Sequence, residues 1–231
     1  MSERIHPPGL LLQMLEGRVG GEYTTLMLRL PMLRLHAPRG HREPVMVLPG
    51  FMADDDSTWF LRAFLTAIGY SVSPWGLGRS RGPMLSFLEP TIERIEALRD
   101  KHGSKVKMVG WSRGGILSRE VARDRPDLID RVITLGSPVR GGAGASSISR
   151  LVERETGINV DAMRRIMRER NRVQIEVPIC AIYSKTDGVV AWQACIDDTN
   201  PNVEHHVVAG SHTGLGFNAD VYRLVAKALS E

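Results

Sequence analysis

The stretch VKMVGWSRGG, Val106 to Gly115, decides how the rest of the chain is read. It opens as an apolar run, sets one serine between the glycines at positions 110 and 114, and passes into a helical pattern over Arg113 to Arg125. A strand, a tight turn and a helix start are the setting in which G-x-S-x-G lifts a hydroxyl out of a sheet. Gly110 and Gly114 lack the Cβ atoms that would collide in so sharp a turn, and Ser112 stands at its apex. The bare pattern recurs by chance. Its place between a strand and a helix gives it weight.

On both sides of this turn, short apolar runs alternate with longer helical patterns, the mark of parallel strands joined by crossover helices. Strands are predicted at 44–50 (PVMVLPG), 70–76 (YSVSPWG), 105–111, 131–138 (RVITLGSP), 177–184 (VPICAIYS) and 203–208 (VEHHVV). Helices follow from the spacing of Trp59, Phe60, Ala63, Phe64 and Ala67, of Ile92, Ile95 and Leu98 within 89–102, and of Val221, Leu224, Val225 and Leu229 within 218–229. Two regions depart from the alternation. Residues 10–35 are rich in Leu and Met with Pro31 interrupting, which predicts an N-terminal helical hairpin. Residues 141–177 open on a glycine-rich hinge and then carry Ile148, Leu151 and Val152, followed by Met163, Ile166 and Met167, which predicts two short amphipathic helices.

The 231 residues suit a single domain. A composition of 42% hydrophobic and 24% charged residues is that of a globular chain, and excludes disordered and collagen-like classes. No window approaches the roughly 18 unbroken apolar residues of a membrane span. The start, MSERIHPPGLLLQMLEG, has a short apolar run with no small-residue cleavage site behind it, so no signal peptide and a cytoplasmic location are expected. Cys180 and Cys195 are too few for a disulfide scaffold; inert thiols are expected, with a single bridge left open. The net charge of +4 is spread along the chain and aromatics are 6%, which argues against nucleic acid as a partner.

A serine hydroxyl becomes a nucleophile only with a base beside it, and the base needs an orienting carboxylate. With a strand-turn-helix elbow these follow in the order serine, acid, histidine, each after a later strand. Asp187 lies in YSKTDGVV, just beyond the strand ending in CAIYS, and His212 lies in AGSHTGLG before the last helix. Asp197 and Asp198 compete for the acid's place. His205 and His206 do not make a metal site, because adjacent strand residues point to opposite faces. Asp54, Asp55 and Asp56 favour the positive end of the helix they precede, and GLGRSRG (76–82) lacks the spacing of a phosphate loop.

With these residues in place, the sequence resembles the α/β-hydrolase superfamily, and within it bacterial esterase- and lipase-like serine hydrolases. The resemblance covers roughly 44–229, through LPGF, GWSRGG, YSKTDGVV and GSHTGLG in the family's order. It implies an α/β-hydrolase fold: a mainly parallel sheet of about six strands flanked by helices, with a small helical cap at 141–177 and an N-terminal helical segment. It also implies catalysis by Ser112, Asp187 and His212, with the backbone N–H groups of Phe51 and Arg113 as the oxyanion hole. The implied substrate is a small ester, with an apolar acyl chain expected, and no metal or organic cofactor is called for. Pro49-Gly50 stands where many relatives have His-Gly, and the chain is short for the superfamily's first, antiparallel strands. A thioesterase, lactonase or acyltransferase would use the same groups, and a non-catalytic ligand-binding member of the fold is the reading from outside the enzymes. The arginines of the cap, Arg150 to Arg172, face either solvent or an anionic lipid surface on this reading.

Overall fold

The computed structural model describes residues 5–231. Its strands are β1 (Pro44–Leu48), β2 (Ser71–Pro74), β3 (Val106–Trp111), β4 (Ile129–Leu135), β5 (Ile179–Ser184) and β6 (Val203–Val208). They form one sheet in the order β2-β1-β3-β4-β5-β6, every neighbouring pair parallel. All six lie where the sequence predicts them, with no end moved by more than three residues. β1 stops at Leu48 because Pro49 and Gly50 turn the chain out of the ladder.

The helices are α1 (Leu10–Met14), α2 (Val19–His36), α3 (Trp59–Ala67), α4 (Leu88–His102), α5 (Arg113–Asp124), α6 (Ser149–Thr156), α7 (Val160–Arg170) and α8 (Ala219–Ser230). Side chains alternate across each strand, so the sheet has two apolar faces. Val45, Val47, Val109 and Ile182 pack under α3 and α8. Met46, Leu48, Met108 and Val132 pack under α4 and α5.

The N-terminal segment differs from expectation. No hairpin breaks at Pro31; the proline lies inside the 18-residue α2, and the irregularity falls earlier, in a 3₁₀ turn at Leu15–Arg18. Leu26, Leu30 and Leu33 pack on the core on both sides of Pro31, and this burial outweighs one missing backbone hydrogen bond. No antiparallel strand pairs with this sheet among the described residues. Cys180 and Cys195 are both buried and free, so the bridge left open by the sequence does not form. Two of the three aspartates divide their work: Asp54 caps the 3₁₀ turn before α3, while Asp55 turns its carboxylate to the amides of Trp75 and Gly76 at 3.0 and 3.1 Å.

From β1 the chain crosses to β2 on one side and then to β3 on the other. The carboxyl ends of β1 and β3 therefore diverge, and the crevice between them is where open parallel sheets receive ligands.

Candidate active site

Ser112 directly follows β3 at that crevice with φ 53° and ψ −117°, a conformation side-chain-bearing residues rarely hold. Its own amide donates to the Leu135 carbonyl at 2.7 Å, and its carbonyl accepts from the Gly115 amide at 3.1 Å. A Cβ on Gly110 would lie 2.4 Å from the Gly114 carbonyl carbon, and one on Gly114 would lie 2.6 Å from the carbonyl oxygens of Leu48 and Pro49. The glycines are thus required by the close approach of helix to sheet.

Asp187 follows β5 and is buried. One carboxylate oxygen accepts from the amides of Val189 and Val190 at 2.8 and 2.7 Å, and the other lies 2.6 Å from His212 Nδ1. These donors fix the carboxylate's orientation, and with it that of the imidazole. The competing acids are engaged elsewhere: Asp197 is buried against Arg119 and Asn200, and Asp198 pairs with Arg140 at 2.8 Å. His205 Nε2 accepts from the Asp197 amide.

The His212–Asp187 pair sits against the end of β4. A Cβ on Gly136 would meet His212 Nδ1 at 3.2 Å and Asp187 Oδ2 at 3.3 Å, and Gly136 follows Leu135, the acceptor of the Ser112 amide. Trp111, beside Ser112, donates from Nε1 to the His212 carbonyl at 3.3 Å. Serine, acid and histidine loops therefore gather at one sheet edge. In this conformation Ser112 Oγ and His212 share no hydrogen bond; catalytic bonds of this kind often tighten only with substrate bound.

Phe51 and Arg113 flank Ser112 across the crevice, and among the described residues neither backbone N–H has a protein acceptor. The same two residues line an apolar cavity that reaches Ser112 and is lined also by Ile148, Val152, Met163 and Met167 of the 141–177 insertion. Of the apolar positions singled out in that insertion by the helical spacing, all but Leu151 line this cavity. α7 is held down at its end, where Arg170 meets Glu120 and Asp124, and α6 by Arg81 on Glu155 at 2.7 Å. The Arg113 guanidinium is buried between the rings of Phe51 and Phe87, 5.4 and 5.5 Å from their centroids, and burial lowers its pKa to about 10.

The N-terminal segment reaches the same edge. Glu16 accepts from the amides of Gly188, His212 and Thr213 at 2.8, 2.8 and 3.1 Å. Arg18 donates to the carbonyl and hydroxyl of Thr186, and Glu22 accepts from the amide and hydroxyl of Ser211. Sequence reasoning missed these three. Nothing near EGRVGGE (16–22) marks partners about 170 to 200 positions away.

No protein-family model and no curated protein matches the chain, but solved structures do. A monoacylglycerol lipase of Paleococcus ferrophilus is 15% identical with a TM-score of 0.61, the match covering 84% of this chain and 96% of that one. A Bacillus licheniformis lipase gives 15% and 0.62 over 84% and 94%. A metagenome-derived lipolytic enzyme gives 15% and 0.63 over the same shares. With six parallel strands, flanking helices and this spatial likeness, the chain has the α/β-hydrolase fold.

Proposed function

We propose that the protein is a serine hydrolase of carboxylic esters, an esterase or small lipase, working through an acyl-enzyme. The observation that carries this reading is the 2.6 Å contact of His212 Nδ1 with buried Asp187 at the sheet edge where Ser112 sits in a strained elbow. Asp187 holds the proton on Nδ1, so Nε2 is left as the base. Ser112 Oγ attacks the ester carbonyl, its proton passes to Nε2, and the carbonyl electron pair moves onto oxygen facing the Phe51 and Arg113 amides. Collapse expels the alcohol, which takes the proton from Nε2; water then repeats the sequence on the acyl-enzyme and frees the acid. The apolar cavity suits the acyl chain, and the 141–177 helices act as its cap. Two buried free thiols suit a reducing compartment, which supports a cytoplasmic location.

A fluorophosphonate probe tests the reading. The wild type should be labelled, and Ser112→Ala should abolish both labelling and hydrolysis of nitrophenyl esters. An unlabelled wild type would reduce the fold to a binding role.

A further inference from the structure

α2 is apolar on two opposite faces. Leu26, Leu30 and Leu33 turn inward to the core. Leu28, Met32 and Leu35, spaced as one helical face, are 78%, 57% and 67% exposed. A lone exposed leucine is ordinary, but a stripe along one helix, with Leu10, Leu11 and Met14 bare on the same segment, is a surface built to be covered.

The charge around the stripe says by what. From Tyr23 to Arg42 the sequence has no acidic residue, and it carries Arg29, Arg34, Arg39 and Arg42. At about 100° per residue, Arg29 and Arg34 project to opposite sides of the Leu28–Met32–Leu35 face. Both are exposed, and among the described residues neither they nor Arg39 pairs with a carboxylate. In the 141–177 insertion Arg154, Arg164, Arg170 and Arg172 rest on acidic side chains, and Arg150, Arg165 and Arg168, which have no carboxylate partner among the described residues, stand among them; α2 beyond Glu22 has no acidic residue at all. Two copies docking through the α2 stripe would bring these unpaired arginines toward one another. A layer of lipid phosphates with acyl chains beneath would instead satisfy the cations and the apolar stripe together. Among the described residues no helix is long and apolar enough to cross a membrane.

We propose that the outer face of α2 docks on an anionic lipid bilayer surface, the Leu28–Met32–Leu35 stripe entering the headgroup boundary and Arg29 and Arg34 meeting phosphates. This inference is independent of the hydrolase reading and places the binding face on a helix whose Glu22 grips the His212 loop and whose preceding turn grips the Asp187 loop through Arg18.

Flotation of the full chain with phosphatidylglycerol vesicles, with phosphatidylcholine vesicles as the comparison, tests it. The protein should partition to the anionic vesicles at low salt and leave them as salt rises. Arg29→Glu with Arg34→Glu should lower that partition by about tenfold or more, as should Leu28→Glu with Leu35→Glu. All four positions are exposed, and unchanged melting temperatures will show that the variants fold. Equal binding to both vesicles, no binding to either, or folded variants that bind like wild type would overturn the proposal. So would a stable dimer by light scattering that Leu28→Glu splits, which would assign the face to a second copy.

Discussion

Glu16 Oε1 lies 2.8 Å from the backbone nitrogen of His212 and 2.8 Å from that of Gly188, so one carboxylate ties the histidine loop to the acid loop. The contact between Asp187 and His212 thus has a brace behind it, from an element absent from the family's motif order. The fit is close, since a Cβ on Gly188 would lie 2.2 Å from the Leu12 carbonyl oxygen.

Replacing Glu16 with Ala should leave three amides without their acceptor and loosen both loops. We expect kcat to fall by about tenfold or more, with KM little changed, because the cavity walls are untouched. Glu16→Gln should fall in between, since its amide oxygen can still accept while its NH2 faces the Thr213 amide. Steady-state kinetics on a nitrophenyl ester will decide, and an unchanged kcat in Glu16→Ala removes the brace from the mechanism.

The same carboxylate should leave a mark on acid stability. Burial pushes the Glu16 carboxyl up, but the amides of His212, Thr213 and Gly188, with attraction to His212, outweigh it and hold the pKa below its ordinary 4.5. A folded-state value below the unfolded one stabilises the fold above the ordinary pKa, and the contribution is lost as pH falls through the folded value. The gap in urea midpoint between wild type and Glu16→Gln should therefore be widest near neutrality and close as pH drops below 4.5. A gap that widens in acid contradicts this sign.

Asp187→Asn should cost about 10³–10⁴-fold in kcat while the fold persists. The amides of Val189 and Val190 will hold the carbonyl oxygen of the new side chain, which turns its NH2 toward His212 Nδ1 and selects the wrong tautomer. Activity in Asp197→Asn, whose partner is Arg119, should survive far better if the variant folds.

Gly114→Ala tests the elbow through stability. The added methyl would meet two backbone oxygens at 2.6 Å, and neither can move without shifting β1 or the turn behind it. A loss of about 1–3 kcal/mol is expected in denaturant unfolding, with activity lost as well. A stable, active variant would mean that the close approach of α5 to β1 is dispensable.

Met167→Ala, at the cavity wall formed by α7, should shift preference toward longer acyl chains. A change of about tenfold in the octanoate-to-acetate ratio of kcat/KM is expected, the scale of a methylene or two in an apolar pocket. An unchanged ratio would detach the cap from substrate selection.

The buried strands, the crossover helices, the elbow and the Asp187 and His212 loops were all legible in the linear chain, because each rests on local patterning: apolar runs, helical spacing, glycines beside a turn. Its position after a strand favours Asp187 over Asp197; in the structure Asp187 meets His212, while Arg119 occupies Asp197. What stayed hidden was contact at long range. Pro31 reads as a break, yet tertiary packing of Leu26, Leu30 and Leu33 carries α2 through it.

By itself, then, the sequence determined the sheet, its strand order of use along the chain, and the three loops that reach one edge, since hydrophobic period and turn chemistry act over a few residues. Only the tertiary structure decided that Glu16, Arg18 and Glu22 grip two of those loops, and that one face of α2 is buried while its opposite face is left bare. Those outcomes depend on which surfaces meet once the sheet has twisted and the helices have packed, and no local pattern encodes a meeting across some 170 to 200 residues.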